Sequence, residues 1–176
     1  KRLVYDSIQQ RLVSLSYDRQ VKIWDCSGEV IQCIHSANLP NIVWPRSCAF
    51  LNNNTLVFVT FGSSYARYNI NKAEWSLTHI LDTHGNNAIT EHDGKLYTVG
   101  DAGIVKQEEK VITQLPSLCN FLCTIGDRMI TGGQTGEVFD AKTGEMIYQH
   151  RSPLNCAVAF TQGGQHFAVV GTYTGE

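Results

Sequence analysis

Hydrophobic and polar residues alternate with a period of two along much of this chain. The first clear case comprises residues 11–16, 20–25 and 29–34, which are separated by the short polar stretches 17–19 and 26–28. Alternation of this kind is typical of a β-strand, and short stretches rich in Asp, Ser and Gly favour tight turns. The pattern therefore predicts three consecutive antiparallel strands.

The same triplet of alternating segments returns three times. The second triplet covers 54–60, 65–69 and 75–79, the third covers 95–100, 103–107 and 110–114, and the fourth covers 128–132, 136–140 and 145–150. Each triplet follows a further short apolar stretch, so four strands are predicted per repeat. These stretches are 3–5, 48–51, 88–89 and 121–122, and a similar one at 157–160 begins a fifth repeat.

The spacing between equivalent positions indicates a repeat array. Taking Trp24, Tyr68, Lys106 and Phe139 as equivalent gives intervals of 44, 38 and 33 residues. Periods of this length are typical of arrays in which each repeat is one supersecondary unit. No segment requires a helix, so the fold class is predicted to be all-β.

Residues 12–25 carry a family resemblance. The run from Leu12 through the terminal pair Trp24 and Asp25 resembles the second and third strands of a WD-repeat. The resemblance is close over residues 11–34 and loose over the rest, where Trp-Asp is replaced by Tyr-Asn, Lys-Gln and Phe-Asp. It implies a structural hydrogen-bond network shared by Asp18, Ser16 (or Ser14) and Trp24.

The resemblance also implies the architecture. We expect an all-β fold, a β-propeller of WD40 type with about four and a half four-stranded antiparallel blades, as a single segment over residues 1–176. The predicted blades are 1–36, 45–80, 86–115 and 118–151, with an incomplete blade at 154–176. Because an incomplete blade leaves an unpaired strand edge, we expect this segment to be part of a larger ring, completed by the rest of a longer propeller or by a second copy.

Propellers that this chain resembles serve as rigid platforms for protein partners, usually without catalysis. The side chains that dominate interface energetics are Trp, Tyr and Arg, and several lie in the loops predicted to share one rim around the channel. An Asn also precedes three of the inner strands, either as a polar ring at the channel mouth or as a residue that closes turns by side-chain-to-backbone bonds. The candidate partner-binding residues are Tyr17, Arg19, Trp44, Arg46, Asn87, Asn120, Arg151 and Asn155.

Composition narrows the function classes. With 14 Lys and Arg against 16 Asp and Glu, the net charge is −2, which argues against nucleic-acid and membrane-surface partners. The chain has no run of 18 apolar residues, so no membrane-spanning helix is predicted. Its six cysteines form no CxxC pair, so we expect no zinc site and infer a reducing compartment such as the cytoplasm.

Two functions from different classes follow. No nucleophile elbow or phosphate-binding loop is present, so the favoured function is a non-enzymatic scaffold without a cofactor, bound to protein partners of unknown identity. The alternative is a small-molecule propeller enzyme, lactonase-like or lyase-like, in which the channel-mouth Asn residues and His84 hold a divalent cation.

Overall fold

The protein is built from β-strands that pair in order along the chain. A computed structural model describes residues 2–41, 44–60, 64–79 and 84–176. Every regular element in these ranges is a strand, and the sheets are the antiparallel meanders of β-propeller blades, so the predicted fold class is confirmed. The chain divides into two compact units, Lys1–Asp82 and Thr83–Glu176, which are described separately.

The first unit contains two four-stranded sheets, each with its strands in chain order. Sheet 1 consists of β1 (Arg2–Asp6), β2 (Arg11–Leu15), β3 (Gln20–Asp25) and β4 (Gln32–Asn38). Sheet 2 consists of β5 (Pro45–Asn52), β6 (Thr55–Thr60), β7 (Ser64–Asn69) and β8 (Glu74–His79). The fourth strand of sheet 1 lies later than the predicted segment 29–34, because the whole of β3 pairs with β4 as far as Asn38.

The second unit contains two four-stranded sheets and one two-stranded sheet. Sheet 3 consists of β9 (Asn86–His92), β10 (Lys95–Gly100), β11 (Ile104–Gln107) and β12 (Lys110–Gln114). Sheet 4 consists of β13 (Cys119–Ile125), β14 (Arg128–Gly133), β15 (Glu137–Asp140) and β16 (Met146–Gln149). Sheet 5 consists of β17 (Leu154–Gln162) and β18 (Gln165–Thr172).

Side-chain caps fix the turns between third and fourth strands. The carboxylate of Asp25 accepts a bond from the backbone N–H of Ser27 at 2.9 Å, and that of Asp140 accepts one from Lys142 at 3.0 Å. Asp side chains favour turns for this reason. The sequences of 25–29 and 140–145 both begin with Asp and end with Gly-Glu, and both form this capped turn.

The core of the first unit lies between its two sheets. Val13 and Ile23 of sheet 1 pack in one buried cluster with Leu56, Phe58 and Tyr68 of sheet 2. Each of these side chains comes from a strand whose alternation was read in the sequence. Burial of apolar area is the main stabilising contribution here, at about 25 cal/mol per Å².

The second unit has two such layers, one on each face of sheet 4. Met129 and Leu122 pack toward sheet 3, in a cluster that includes Val99. Phe121 and Ile130 pack with Leu154 and the small side chains of sheet 5. Sheet 4 is thus covered on both faces, which requires consecutive residues such as Met129 and Ile130 to be apolar.

The strand register corrects one sequence equivalence. Lys106 pairs with Thr98 and Phe139 pairs with Thr131, and both lie three residues after the left-handed glycine of their turn. Trp24, in contrast, lies five residues after the left-handed Arg19. Trp24 is therefore offset by two residues from Lys106 and Phe139, because β3 runs two residues further than β15 before its capped turn.

The two methionines offer a matched test of the layered core. Met129 is fully buried, whereas Met146 on β16 is 52% exposed. We expect Met129→Ala to lower the free energy of unfolding by about 2–5 kcal/mol, and Met146→Ala to change it by less than about 0.5 kcal/mol. Urea denaturation followed by circular dichroism measures both; equal effects would contradict the packing of sheet 4 against sheet 3.

Candidate functional site

The turn after the second strand has one backbone geometry in sheets 1, 3, 4 and 5. Its last residue has a positive φ of 65° at Arg19, 69° at Gly103, 80° at Gly136 and 82° at Gly175. The N–H of this residue bonds the carbonyl three positions earlier, at 3.2 Å in the turn of Arg19. Glycine adopts this backbone freely, whereas a residue with a side chain is strained in it. Arg19 is thus a non-glycine residue where three equivalent turns have glycine.

The guanidinium of Arg19 contacts two backbone carbonyls and one aromatic ring. Its Nη2 donates to the carbonyl of Leu39 at 3.3 Å and to the carbonyl of Pro40, and the guanidinium carbon lies 5.3 Å from the centre of the Trp44 ring. A cation over an aromatic face contributes about 0.5–1 kcal/mol at an exposed site. These contacts offset a backbone strain of about 1–3 kcal/mol, the kind of strain that concentrates at functional sites.

Arg19 and Trp44 form an exposed aromatic and cationic cluster. The Trp44 side chain is 56% exposed and that of Tyr17, in the same turn as Arg19, is 74% exposed. We call Tyr17, Arg19 and Trp44 the Arg19–Trp44 cluster. The structure therefore brings two residues that sequence analysis had placed in separate loops, Arg19 and Trp44, into direct contact. The carbonyls of Leu39 and Pro40 that support them gave no signal in the sequence.

A β-bulge occurs at the start of the first strand in sheets 2 to 5. In each case one residue of the first strand has no opposite residue on the second strand, as between Pro45 and Ser47 of β5, which pair with consecutive residues of β6. The extra residues are Arg46, Asn87, Asn120 and Asn155. These four candidate residues thus occupy equivalent positions, beside the turn described above. Arg46 and Asn155 are exposed.

Two of the bulge asparagines join neighbouring sheets within the second unit. Nδ2 of Asn87 donates to the carbonyl of Cys119 at 3.0 Å and to Oδ1 of Asp101 at 2.9 Å, and Nδ2 of Asn120 donates to the carbonyl of Leu154 at 2.8 Å. Each acceptor carbonyl belongs to the first residue of the next sheet. These backbone partners lie 32 and 34 residues away, so the bonds connect neighbouring sheets and do not close a local turn.

Arg151 is engaged in an ion pair within the second unit. Its Nη2 contacts Oε1 of Glu176, whose other carboxylate oxygen lies 3.1 Å from Nε2 of His150. Glu176 occupies the position in its turn that Glu137 occupies in sheet 4. The sequences of 132–137 and 171–176 both begin with Gly and end with Thr-Gly-Glu, which relates Glu176 to Glu137, but no signal in the sequence indicated its contact with Arg151.

The structural network predicted around Trp24 is smaller than the resemblance implied. The indole Nε1 donates to Oγ of Ser14 at 2.9 Å, so the serine acceptor is Ser14 and not Ser16. Ser14 lies within β2 and projects from the same face as Trp24, whereas Ser16 lies beyond the end of the strand. Asp18 instead accepts a bond from the backbone N–H of Gln20 at 3.0 Å, which caps the turn.

The titratable groups of the described residues do not assemble into a metal site. No three His, Cys, Asp or Glu side chains converge anywhere in residues 2–41, 44–60, 64–79 or 84–176. In the first unit, Nε2 of His35 lies 2.6 Å from the hydroxyl oxygen of Tyr68, which is a hydrogen-bond distance.

The six cysteines are free thiols. Burial raises the pKa of Cys48 to about 12 and those of Cys119 and Cys123 to about 11. Since the thiolate is the nucleophile, these three side chains are unreactive at neutral pH.

Comparison with known proteins assigns the chain to no family. No protein-family model matches the chain, and no curated protein matches it either. Among the residues that the structure describes, none lies in a helix long and apolar enough to cross a membrane.

The sheet-to-sheet asparagine bonds are testable by truncation. We expect Asn87→Ala to lower the free energy of unfolding by about 1–3 kcal/mol, because the buried Cys119 carbonyl loses its donor. Asn120→Ala removes the equivalent bond and is expected to be destabilising as well. Asn155→Ala, at the exposed equivalent position, is the matched control and is expected to change stability by less than about 0.5 kcal/mol. Urea denaturation at low protein concentration compares the three; an equal effect of Asn155→Ala would contradict the assignment.

Proposed function

We propose that this chain is a non-catalytic protein-interaction scaffold, a WD40-like propeller module that binds protein partners through the Arg19–Trp44 cluster. The observation that carries the proposal is Arg19 itself, a strained arginine that stands where the equivalent turns have glycine and contacts an exposed tryptophan. The resemblance of residues 12–25 to a WD-repeat supports the family assignment, and the four-stranded blades support the platform role.

The chemistry of the cluster suits protein recognition. Trp, Tyr and Arg are the residues most often found at the energetic centre of protein interfaces. Here the Trp44 face and the Tyr17 ring are exposed, while the guanidinium of Arg19 is fixed by backbone carbonyls before any partner arrives. Preorganised side chains lose less conformational entropy on binding, which favours affinity.

The other proposed elements of function are consistent with this role. The six free thiols fit a reducing compartment, and we propose that the protein acts in the cytoplasm. The near-neutral charge balance supports protein partners over nucleic acid. The enzyme alternative would place a cation on the amide oxygens of the bulge asparagines, whose amide nitrogens in Asn87 and Asn120 bond backbone carbonyls of the next sheet.

Quantitative affinity capture with matched variants tests the proposal. We expect Trp44→Ala and Arg19→Gly each to weaken capture of specific partners by at least about 30-fold, which corresponds to about 2 kcal/mol for a residue at the centre of an interface. Arg19→Gly restores the residue of the equivalent turns, so it removes the guanidinium without straining the backbone. Arg67→Ala, an exposed arginine on β7, is the control and is expected to retain the partners.

Two results would contradict the proposal. Partners captured equally well by Trp44→Ala and Arg19→Gly would exclude the cluster as the binding site. Stoichiometric calcium or zinc in the purified protein would favour the enzyme alternative instead, since an interaction scaffold needs no cation.

A further inference from the structure

Charged residues of the first unit are divided between its two ends. Antiparallel pairing brings the start of β1 beside the end of β2 and the turn that follows it, and the contact between Arg19 and Trp44 adds the start of β5. We call this end the Arg19 end. The turns that join β1 to β2, β3 to β4 and β7 to β8 lie at the opposite end, where Arg11 of sheet 1 bonds the carbonyl of Asn53 in sheet 2. Acidic residues lie in or beside those turns, at Asp6, Asp25, Glu29 and Glu74.

Arginine residues concentrate at the Arg19 end. Arg2 begins β1, Arg19 ends the turn after β2, and Arg46 is the exposed bulge residue of β5. Among the residues that the structure describes there, the acidic one is Asp18, whose carboxylate accepts a bond from the backbone N–H of Gln20 at 3.0 Å. The Arg19 end therefore carries net positive charge, although the net charge of the whole chain is −2.

Arg19 retains hydrogen-bond donors that a partner can use. A guanidinium carries N–H groups on Nε, Nη1 and Nη2 and accepts no bond. The carbonyls of Leu39 and Pro40 both accept from Nη2. Within the described residues, Nε and Nη1 of Arg19 donate to no acceptor, so they can donate to an anionic oxygen of a partner. Such charge-assisted bonds are shorter and stronger than bonds between neutral groups.

Apolar surface lies next to these donors. The Trp44 ring lies against the guanidinium of Arg19 and is still more than half exposed, and the Tyr17 ring is exposed in the same turn as Arg19. Aromatic rings bury a large apolar area when a partner side chain packs on them. The Arg19–Trp44 cluster therefore suits a partner that presents an anionic group beside an apolar side chain.

Acidic protein segments and single-stranded nucleic acids both present anionic groups of this sort. A single strand binds along a positively charged groove that follows its backbone over several nucleotides. Net positive charge in the first unit is local to the Arg19 end, because acidic residues are concentrated at the other end. A short acidic protein segment needs only local charge, so it is the partner that this charge distribution favours.

We propose that the Arg19–Trp44 cluster binds an acidic segment of its protein partner. An Asp or Glu carboxylate of that segment accepts a bond from Arg19, Arg46 adds positive charge beside it, and a neighbouring apolar side chain of the segment packs on Trp44 and Tyr17. The inference rests on the proposed function, because it names the partner chemistry of the same surface. Opposite charges also accelerate encounter, so association is expected to be fastest at low salt.

Selection from a random peptide library displayed on phage tests the partner chemistry directly. The unmodified chain is the bait, and each selected peptide is then tested against Trp44→Ala. We expect the peptides that need Trp44 to carry an Asp or Glu next to an apolar residue and to have negative net charge. Asp and Glu are expected to be enriched, and Lys and Arg depleted, relative to the unselected library.

Fluorescence anisotropy of a labelled synthetic copy of the strongest such peptide measures the contribution of its charge. Replacing its Asp and Glu residues by Asn and Gln is expected to raise the Kd at least about tenfold, because bonds to a charged group are lost. This substitution is in the peptide, so it leaves the fold of the protein unchanged. Arg19→Gly and Arg46→Gln are each expected to raise the Kd of the acidic peptide to a similar extent. Arg67→Gln removes an exposed arginine from the middle of β7 and, as the matched control, is expected to leave the Kd unchanged.

Salt dependence separates the charged contribution from the apolar one. The Kd of the acidic peptide is expected to rise at least about fivefold between about 0.05 M and about 0.5 M NaCl, because salt screens exposed charges. Arg46→Gln is expected to reduce this dependence. Tyr17→Ala, which removes apolar area and no charge, is expected to weaken binding and leave the salt dependence unchanged.

Three outcomes would overturn the inference. The first is a set of peptides that need Trp44 but contain no Asp or Glu, which leaves the cluster as a binding site and refutes its acidic partner. The second is an Asn and Gln copy that binds as tightly as the acidic peptide. The third is a single-stranded oligonucleotide of thymidine that binds the cluster more tightly than the acidic peptide does, since nucleic acid is then the better ligand.

Failure of the proposed function has a different signature. Peptides that bind the unmodified chain, Trp44→Ala and Arg19→Gly equally well would show that the cluster is not the binding surface. A library that yields no binding peptide would overturn the acidic segment alone, because affinity capture of folded partners still tests the cluster. Circular dichroism of each variant confirms that a loss of binding does not come from misfolding.

Discussion

The structure depends on face-to-face burial between consecutive sheets. A four-stranded antiparallel sheet with one apolar face buries it against a single neighbour, but sheet 4 is apolar on both faces. Met129 faces the cluster with sheet 3 and the next residue, Ile130, faces the cluster with sheet 5. Neither face could remain in water without loss of the stabilisation that burial provides. The stability of each sheet in the second unit therefore depends on its neighbours, as in repeat proteins generally.

Two backbone devices keep these faces in register from one sheet to the next. The β-bulge at the start of the first strand and the left-handed residue that ends the following turn recur together in sheets 3, 4 and 5. A bulge adds one residue to one strand and re-aims the side chains that follow it. Since side chains alternate between faces, a slip of one residue would move every core side chain to the wrong layer. The asparagines at the bulge add a bond between sheets at the point where register is set.

The sequence predicted the strands and turns well because both depend on local patterns. Alternation identified the four-strand repeat, and short polar stretches identified tight turns such as the one at 26–28, which Asp25 caps in the structure. The equivalence of Trp24 with Phe139 failed because β3 is two residues longer than β15, and strand length is not visible in alternation. The partners of Asn87 and Asn120 lie more than 30 residues away, so no local signal predicted them. The acceptor of Trp24 was Ser14 because the strand register pairs Trp24 with Leu12, two residues from Ser14, whereas Ser16 lies beyond the end of β2.

The β-bulge of the first strand and the last residue of the turn after the second strand lie at the same end of a sheet. These two positions explain why the candidate binding residues concentrate at that end. The bulge recurs in sheets 2 to 5 and the turn recurs in sheets 1, 3, 4 and 5, so the backbone is set there and the residue type is free to serve different purposes. At the bulge, asparagine bonds the next sheet in the second unit, whereas sheet 2 carries an exposed arginine. At the turn, glycine meets the backbone requirement without strain, whereas Arg19 meets it with help from two carbonyls and the Trp44 ring. The contacts that Arg19 makes from this left-handed position lead to an exposed aromatic surface at Trp44.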